Sequence, residues 1–226
     1  NPSLVGSEMC IRDRPEAIDF AVMLNFGDFK SFEDEKIEIE VNKIFIHADK
    51  SQIKLVRVAV DIEDAQKTKK LLSLLSSLGY KVALNLMKAN GRKEKFYQDI
   101  GNKLRKWNLI DNLYIADSFG NMDSLDIKKI FRSVKSGWQG NMGFHSHNNK
   151  GFALSNALAA IEENIDLCDC TISGMGRGAG NVTTESLSME LSNKKLLNID
   201  LSLIQGTLID FENLKNKYKW GPNLYY

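Results

Sequence analysis

The feature that most constrains this chain is an alternation. From about residue 20 onward, short apolar runs take turns with stretches whose apolar residues recur every three or four positions. The runs are FAVMLNF (20–26), LVRVAV (55–60), KVALNLM (81–87), NLYIADS (112–118), NMGFHSH (141–147) and CDCTISGMG (168–176). Their near-continuous apolar character suits strands covered on both faces. Between them, one helix is expected to start at Asp61 as N-cap, turn Ala65, Leu71, Leu72, Leu75 and Leu78 inward, and stop at Gly79. Others carry Phe96, Ile100, Leu104 and Trp107; Ile127, Ile130, Phe131 and Val134; and Leu154, Ala157, Leu158 and Ile161. The stretch 30–50 reads either as an edge strand or as an irregular crossover.

Strand, helix and strand in units of about 25–30 residues describe βα repeats around a parallel sheet. A doubly wound sheet and a TIM (β/α)8 barrel share that pattern. No G-x-G-x-x-G follows the first run, which removes the main reason to expect a dinucleotide fold. Polar residues gather instead toward the C-terminal ends of the runs: Asn25, Arg57, Asn85, Asp117 with Ser118, and His145 with His147. A barrel keeps its chemistry there. The fold class read from the sequence is therefore α/β, a TIM (β/α)8 barrel that is incomplete, with about six of its eight βα units present.

Bulk properties exclude more than they assign. Thirty basic residues nearly balance 29 acidic ones, so no net field points to nucleic acid or to an anionic membrane. No apolar run approaches the roughly 20 residues of a bilayer span, and the N-terminal stretch lacks a secretory layout. Three cysteines offer neither a disulfide framework nor a C-x-x-C pair for zinc. A cytoplasmic protein is expected.

Three motifs carry chemistry. In GFHSHNN, His145 and His147 stand two apart, so on a strand both imidazoles share one face. Such a pair suits a divalent cation, a hydrogen-bonded core pair or a surface pair. GMGRGAGN (174–181) lets backbone N–H groups approach an anion closely, or simply makes a tight turn. It precedes VTTESLSMEL, read as a Thr-capped helix, and its Asn181 could give a neutral oxygen to a metal or cap a turn. In YIADSFGNMD, Asp117 and Ser118 either orient a ligand or a histidine, or build the turn that ends a strand. Arg57, inside LVRVAV, needs a partner, because an unpaired buried charge is expensive. A substrate carboxylate or an internal Asp or Glu would serve equally well.

Taken together, GFHSHNN, CDCTISGMGRGAGN and YIADSFG resemble the pyruvate-aldolase and HMG-CoA-lyase (HMGL-like) superfamily, the DRE-TIM metallolyases. The likeness is greatest to 4-hydroxy-2-oxovalerate-aldolase-like proteins and extends from about residue 20 to the tail KYKWGPNLYY. The resemblance implies a barrel that binds Mn²⁺ or Mg²⁺ through His145, His147 and a strand-one Asp, with Asn181 bound to or near the metal. It implies a small 2-keto acid substrate, Ser118 helping to hold its carboxylate, and a catalytic acid/base Tyr at Tyr226, with Tyr225 as the alternative. Arg57, Asn85, Asp117 and Arg177 complete the expected substrate-binding set. The expected reaction makes or breaks a C–C bond in a 4-hydroxy-2-keto acid, giving pyruvate and an aldehyde. The resemblance leaves room for a homo-oligomer or an aldehyde-dehydrogenase partner. The rivals are an acetyl-CoA-dependent condensing enzyme of the isopropylmalate or citramalate synthase type, and a non-catalytic barrel used as a binding module. Arg177 followed by Gly-Ala-Gly favours the aldolase side.

The strand-one motif of this superfamily contains Arg-Asp, and CIRDR supplies an apparent match at Arg12–Asp13. That match is rejected. Residues 4–14, LVGSEMCIRDR, read as an in-frame translation of a transposon-type sequencing adaptor, and too few residues separate Asp13 from Phe20 for the intervening elements. The expected organisation is residues 1–14 as adaptor-derived, 15–199 as a partial barrel and 200–226 as a C-terminal helical extension. On this reading the first two βα units and their Asp are missing. The chain alone is then not expected to be a competent enzyme.

Overall fold

The computed structural model describes residues 18–200 and 202–221, so the expectations for residues 1–14 and for Tyr225 and Tyr226 lie outside the described residues. Six strands form one sheet in sequential order: β1 (Phe20–Asn25), β2 (Ile53–Asp61), β3 (Lys81–Met87), β4 (Asn112–Asp117), β5 (Asn141–Ser146) and β6 (Leu167–Cys168). Every neighbouring pair is parallel. Each strand is followed by a helix: α1 (Asp34–Ile44), α2 (Lys69–Ser77), α3 (Glu94–Arg105), α4 (Ser124–Lys135), α5 (Ala153–Glu162) and α6 (Thr184–Asn193). A further helix, α7 (Ser202–Tyr218), is the last element of the described chain. This is a TIM-barrel-like arc of six βα units, open between β1 and β6.

The period-two geometry of a strand divides each apolar run between two faces. Val56, Val58 and Val60 of β2, Val82, Leu84 and Leu86 of β3, Leu113 and Ile115 of β4, and Met142 and Phe144 of β5 all join the hydrophobic core with the helices. The helices meet them with Leu71, Leu72 and Leu75, with Ile100 and Leu104, and with Ile127, Ile130, Phe131 and Val134. The opposite parity, Arg57, Asn85, Tyr114, His145 and Asp169, lines the inside of the arc.

Four local expectations change. The stretch 30–50 is neither an edge strand nor an irregular crossover; it contains α1, which buries Ile37 and Val41 four residues apart. Its E-I-E-I alternation mimics a strand, but Asp34 and Glu35 in the first turn and Lys43 in the last favour a helix through its dipole. Asp61 does not cap a helix by its side chain; it ends β2, and its carboxylate accepts from Lys88 Nζ at 2.8 Å. A 3₁₀ segment (Ile62–Thr68) precedes α2. Phe96 in α3 and Trp107, two residues past its end, pack against the core but are only partly buried, while Tyr97 is fully buried and its hydroxyl donates to the Ala89 carbonyl. The sixth run does not extend as a strand to residue 176. β6 stops at Cys168, and further along the run Ser173 (φ 53°) and Gly174 (φ 66°) adopt left-handed backbone that no pleated strand accommodates.

Candidate functional site

The centre of the inner face is a carboxylate that sequence reasoning did not single out. Asp169 follows β6, and its backbone N–H donates to Phe144 O at 2.9 Å, which fixes its place beside β5. Its two carboxylate oxygens accept from Arg57 Nη1 at 2.9 Å and Nη2 at 2.7 Å, across 112 positions of sequence. Arg57 Nη2 also donates to Asn85 Oδ1 at 3.3 Å, and the guanidinium stacks 4.0 Å from the Tyr114 ring centroid. Tyr114 in turn occupies the space over Gly143, where a Cβ would collide with its ring. Of the partners left open for Arg57, the structure supplies the internal one.

Asp169 also meets His145, whose Nδ1 lies 2.9 Å from its Oδ2. Burial pushes the Asp169 carboxyl up, but the hydrogen bonds from His145 and Arg57 outweigh it and hold the group below its ordinary range. An ionised carboxylate can only accept, so Nδ1 of His145 carries the proton it donates, and Nε2 is the ring nitrogen that Asp169 does not engage. His147 stands beside it, with ring centroids 5.0 Å apart at 81°. The two rings therefore do share one face. Burial, followed by the charges of His145 and Arg177, depresses His147 to about 4, so it is a neutral donor at physiological pH.

The glycine loop closes onto this strand end. His147 forms a bridge with Asn181, and Asn148 N donates to Gly180 O at 2.9 Å. Asn181 N donates to Gly174 O at 3.1 Å, and its side-chain Nδ2 donates to Met175 O at 3.0 Å. This fixes the amide plane and leaves Asn181 Oδ1 buried without a hydrogen-bond partner. Gly180 (φ 81°) must be glycine, since a Cβ there would also collide with Gly174 O. The expected Thr-capped helix is present: Thr183 Oγ1 accepts from Ser186 N at 3.3 Å at the start of α6.

The remaining candidates divide. Asn85 is buried inside the arc, and Arg177 is exposed on the loop. Ser118 Oγ accepts from Lys88 N at 2.9 Å, which leaves its hydroxyl hydrogen for another acceptor. Asp117 has the parity of Leu113 and Ile115 and turns away from the inner face. Its carboxylate accepts from Asn121 N at 3.1 Å and Met122 N at 3.3 Å, so of its two readings the structure gives the turn. In the sequence Asp169 stands only as the carboxylate between Cys168 and Cys170 in the last run; its place beside His145 follows from the β5–β6 register, which pairs Phe144 with Cys168.

The histidine pair and the Asn181 oxygen fit a divalent cation as neutral donors. Among the described residues, however, no group of three or more His, Cys, Asp or Glu converges on such a site. The carboxylate implied on strand one is not among the described residues. No helix of the described chain is long and apolar enough to cross a membrane.

Comparison with known proteins agrees with this architecture. The chain is 34% identical over 139 residues to 4-hydroxy-2-oxovalerate aldolase of Thermomicrobium roseum, which covers 62% of this chain and 39% of that protein. It is 30% identical over 175 residues to the enzyme of the same name from Thermus thermophilus, covering 77% of this chain and 48% of the relative. The matches thus span less than half the length of these curated relatives. Among solved structures, the N-terminal domain of a protein described as an aldolase from Bacteroides vulgatus superposes with a TM-score of 0.80. There the identity is 24%, with 99% of this chain and 84% of that chain covered. The carboxyl transferase domain of Rhizobium etli pyruvate carboxylase, solved with pyruvate, gives a TM-score of 0.75 at 16% identity, covering 91% of this chain and 36% of that one. These two likenesses show the fold. The HMGL-like family model matches residues 17–214. Because that span takes in the whole six-stranded arc and the loop that closes over the histidines, the chain belongs to the HMGL-like family.

Proposed function

We propose that this chain is the metal- and substrate-binding portion of a divalent-metal-dependent aldolase, one that cleaves or forms the C–C bond of a 4-hydroxy-2-keto acid to give pyruvate and an aldehyde. The observation that carries the reading is the coincidence, at one strand end, of two adjacent imidazoles and a buried amide oxygen with no partner. Relatives named 4-hydroxy-2-oxovalerate aldolase support the reaction class.

His145 Nε2, His147 and Asn181 Oδ1 would hold Mn²⁺ or Mg²⁺. The ion, when bound, supplies Lewis-acid polarisation of the 2-keto group, which lowers the cost of the enolate. The protein's own part is positional. Asp169 holds Nδ1 of His145 and orients the ring, so that Nε2 is the nitrogen left to face a ligand. Arg57 neutralises Asp169 and is itself held by Asn85 and Tyr114, which keeps a formal charge balance inside the arc. Arg177 and the hydroxyl of Ser118 are the groups proposed for the substrate carboxylate, and Tyr226 for proton transfer.

The test uses a longer polypeptide that carries these residues together with strands preceding β1. Pyruvate release from 4-hydroxy-2-oxovalerate is followed with and without Mn²⁺. His145→Ala and His147→Ala are each expected to lower kcat/KM by at least about a hundredfold, as loss of a ligand or its support does. Undiminished turnover in metal-stripped buffer would exclude the mechanism.

A further inference from the structure

The glycine loop is held from two sides, and one of them is the C-terminal segment. Ser173 sits in left-handed backbone, φ 53°, just before the loop. All three of its polar groups are engaged. Its N–H donates to Glu185 Oε2 at 3.1 Å, its hydroxyl donates to Glu212 Oε1 at 2.7 Å, and its carbonyl accepts from Trp220 Nε1 at 3.0 Å. One residue past Trp220, Gly221 N donates to Gly178 O at 2.9 Å inside the loop. Trp220 is buried, with its ring edge 3.8 Å from where a Cβ of Gly180 would stand.

None of the residues of α7 itself is buried. The helix is therefore not carried by the hydrophobic core; Glu212 ties it to Ser173, and Trp220 and Gly221 just after it tie the chain to Ser173 and the glycine loop. Non-glycine residues with positive φ persist only where their surroundings over-determine them. Here Glu212 and Trp220 supply two of the three restraints, and neither belongs to a barrel unit.

We infer that Glu212 and Trp220 are positioning residues: they lock Ser173 in its left-handed conformation and thereby set the loop that turns Asn181 toward His147. The functional meaning of this rests on the proposed metal site, whereas the mechanical claim does not. The path is short. Ser173 adjoins Gly174, whose carbonyl accepts from Asn181 N at 3.1 Å.

Hydrogen exchange read by mass spectrometry, on the metal-free chain and on Trp220→Phe and Glu212→Ala, which removes the acceptor of the Ser173 hydroxyl, tests it. Trp220→Phe keeps an aromatic ring at the site and removes the indole donor, and Glu212 is half exposed, so both variants should fold. Peptides covering 173–181 are expected to exchange about three- to tenfold faster in each variant, the effect of one lost hydrogen bond on local opening. Peptides from β3 and β4 should keep their rates. Unchanged loop exchange in both variants overturns the inference. So does equal acceleration of loop and core, which would mean a merely global loss of stability. Adding Mn²⁺ to the unsubstituted chain examines the metal reading separately: slower loop exchange supports it, and no slowing counts against it while leaving the comparison of variants intact.

Discussion

The two faces of the same strands obey different rules. Toward the helices, Val58, Leu84, Ile115 and Phe144 are wholly buried and make only apolar contacts with the core. One residue away along each strand, Arg57, Asn85, Tyr114 and His145 form a charged and hydrogen-bonded chain that ends on Asp169. The outer face stabilises by area removed from water, roughly 25 cal/mol per Å². The inner face gains little from its ion pair, because desolvating both charges offsets most of their attraction. The comparison teaches that the arc's stability and its chemistry are carried by alternate residues of one backbone, and can be varied separately.

Urea denaturation can break or sharpen that contrast. Leu84→Ala, on the outer face, should cost about 4 kcal/mol through lost burial and the cavity left behind. No substitution of a single partner should restore it. Asp169→Ala, on the inner face, should cost about 3 kcal/mol by stranding Arg57, whose side chain is only 15% exposed. Here rescue is expected: combining Arg57→Met with Asp169→Leu should return stability to within about 1 kcal/mol of the original chain. A double variant as unstable as Asp169→Ala alone would show that the inner chain is a structural core after all. Gly143→Ala drives a methyl into the Tyr114 ring and should cost about 2 kcal/mol, disturbing the stack on Arg57. The smallest effect, about 1 kcal/mol, is expected from Asp123→Ala. It removes the capping box of α4, in which Asp123 Oδ1 accepts from Leu125 N and Asp126 N, and touches neither face.

Much of this was legible in the chain. Six apolar runs became six strands in sequential order, and the shared parity of His145 and His147 followed from their spacing alone. The reading failed where local pattern and tertiary context diverge. The alternation in 30–50 hid a helix, because Ile37 and Val41 satisfy a helical spacing within a strand-like run. Asp117 sits at the end of a strand, as a site residue would, but its parity carries it outward to the turn amides.

By itself, the sequence determined the repeating unit, the parallel order and the loops on which polar residues would gather, because these depend on periodicities of two and 3.6 residues that any local segment already expresses. Only the tertiary structure decided that Asp169 serves Arg57 and His145 at once, and that a tryptophan beyond the last helix holds the loop bearing Asn181. Those pairings join residues as far as 112 positions apart. They arise from strand order and register, which exist only once the sheet has assembled.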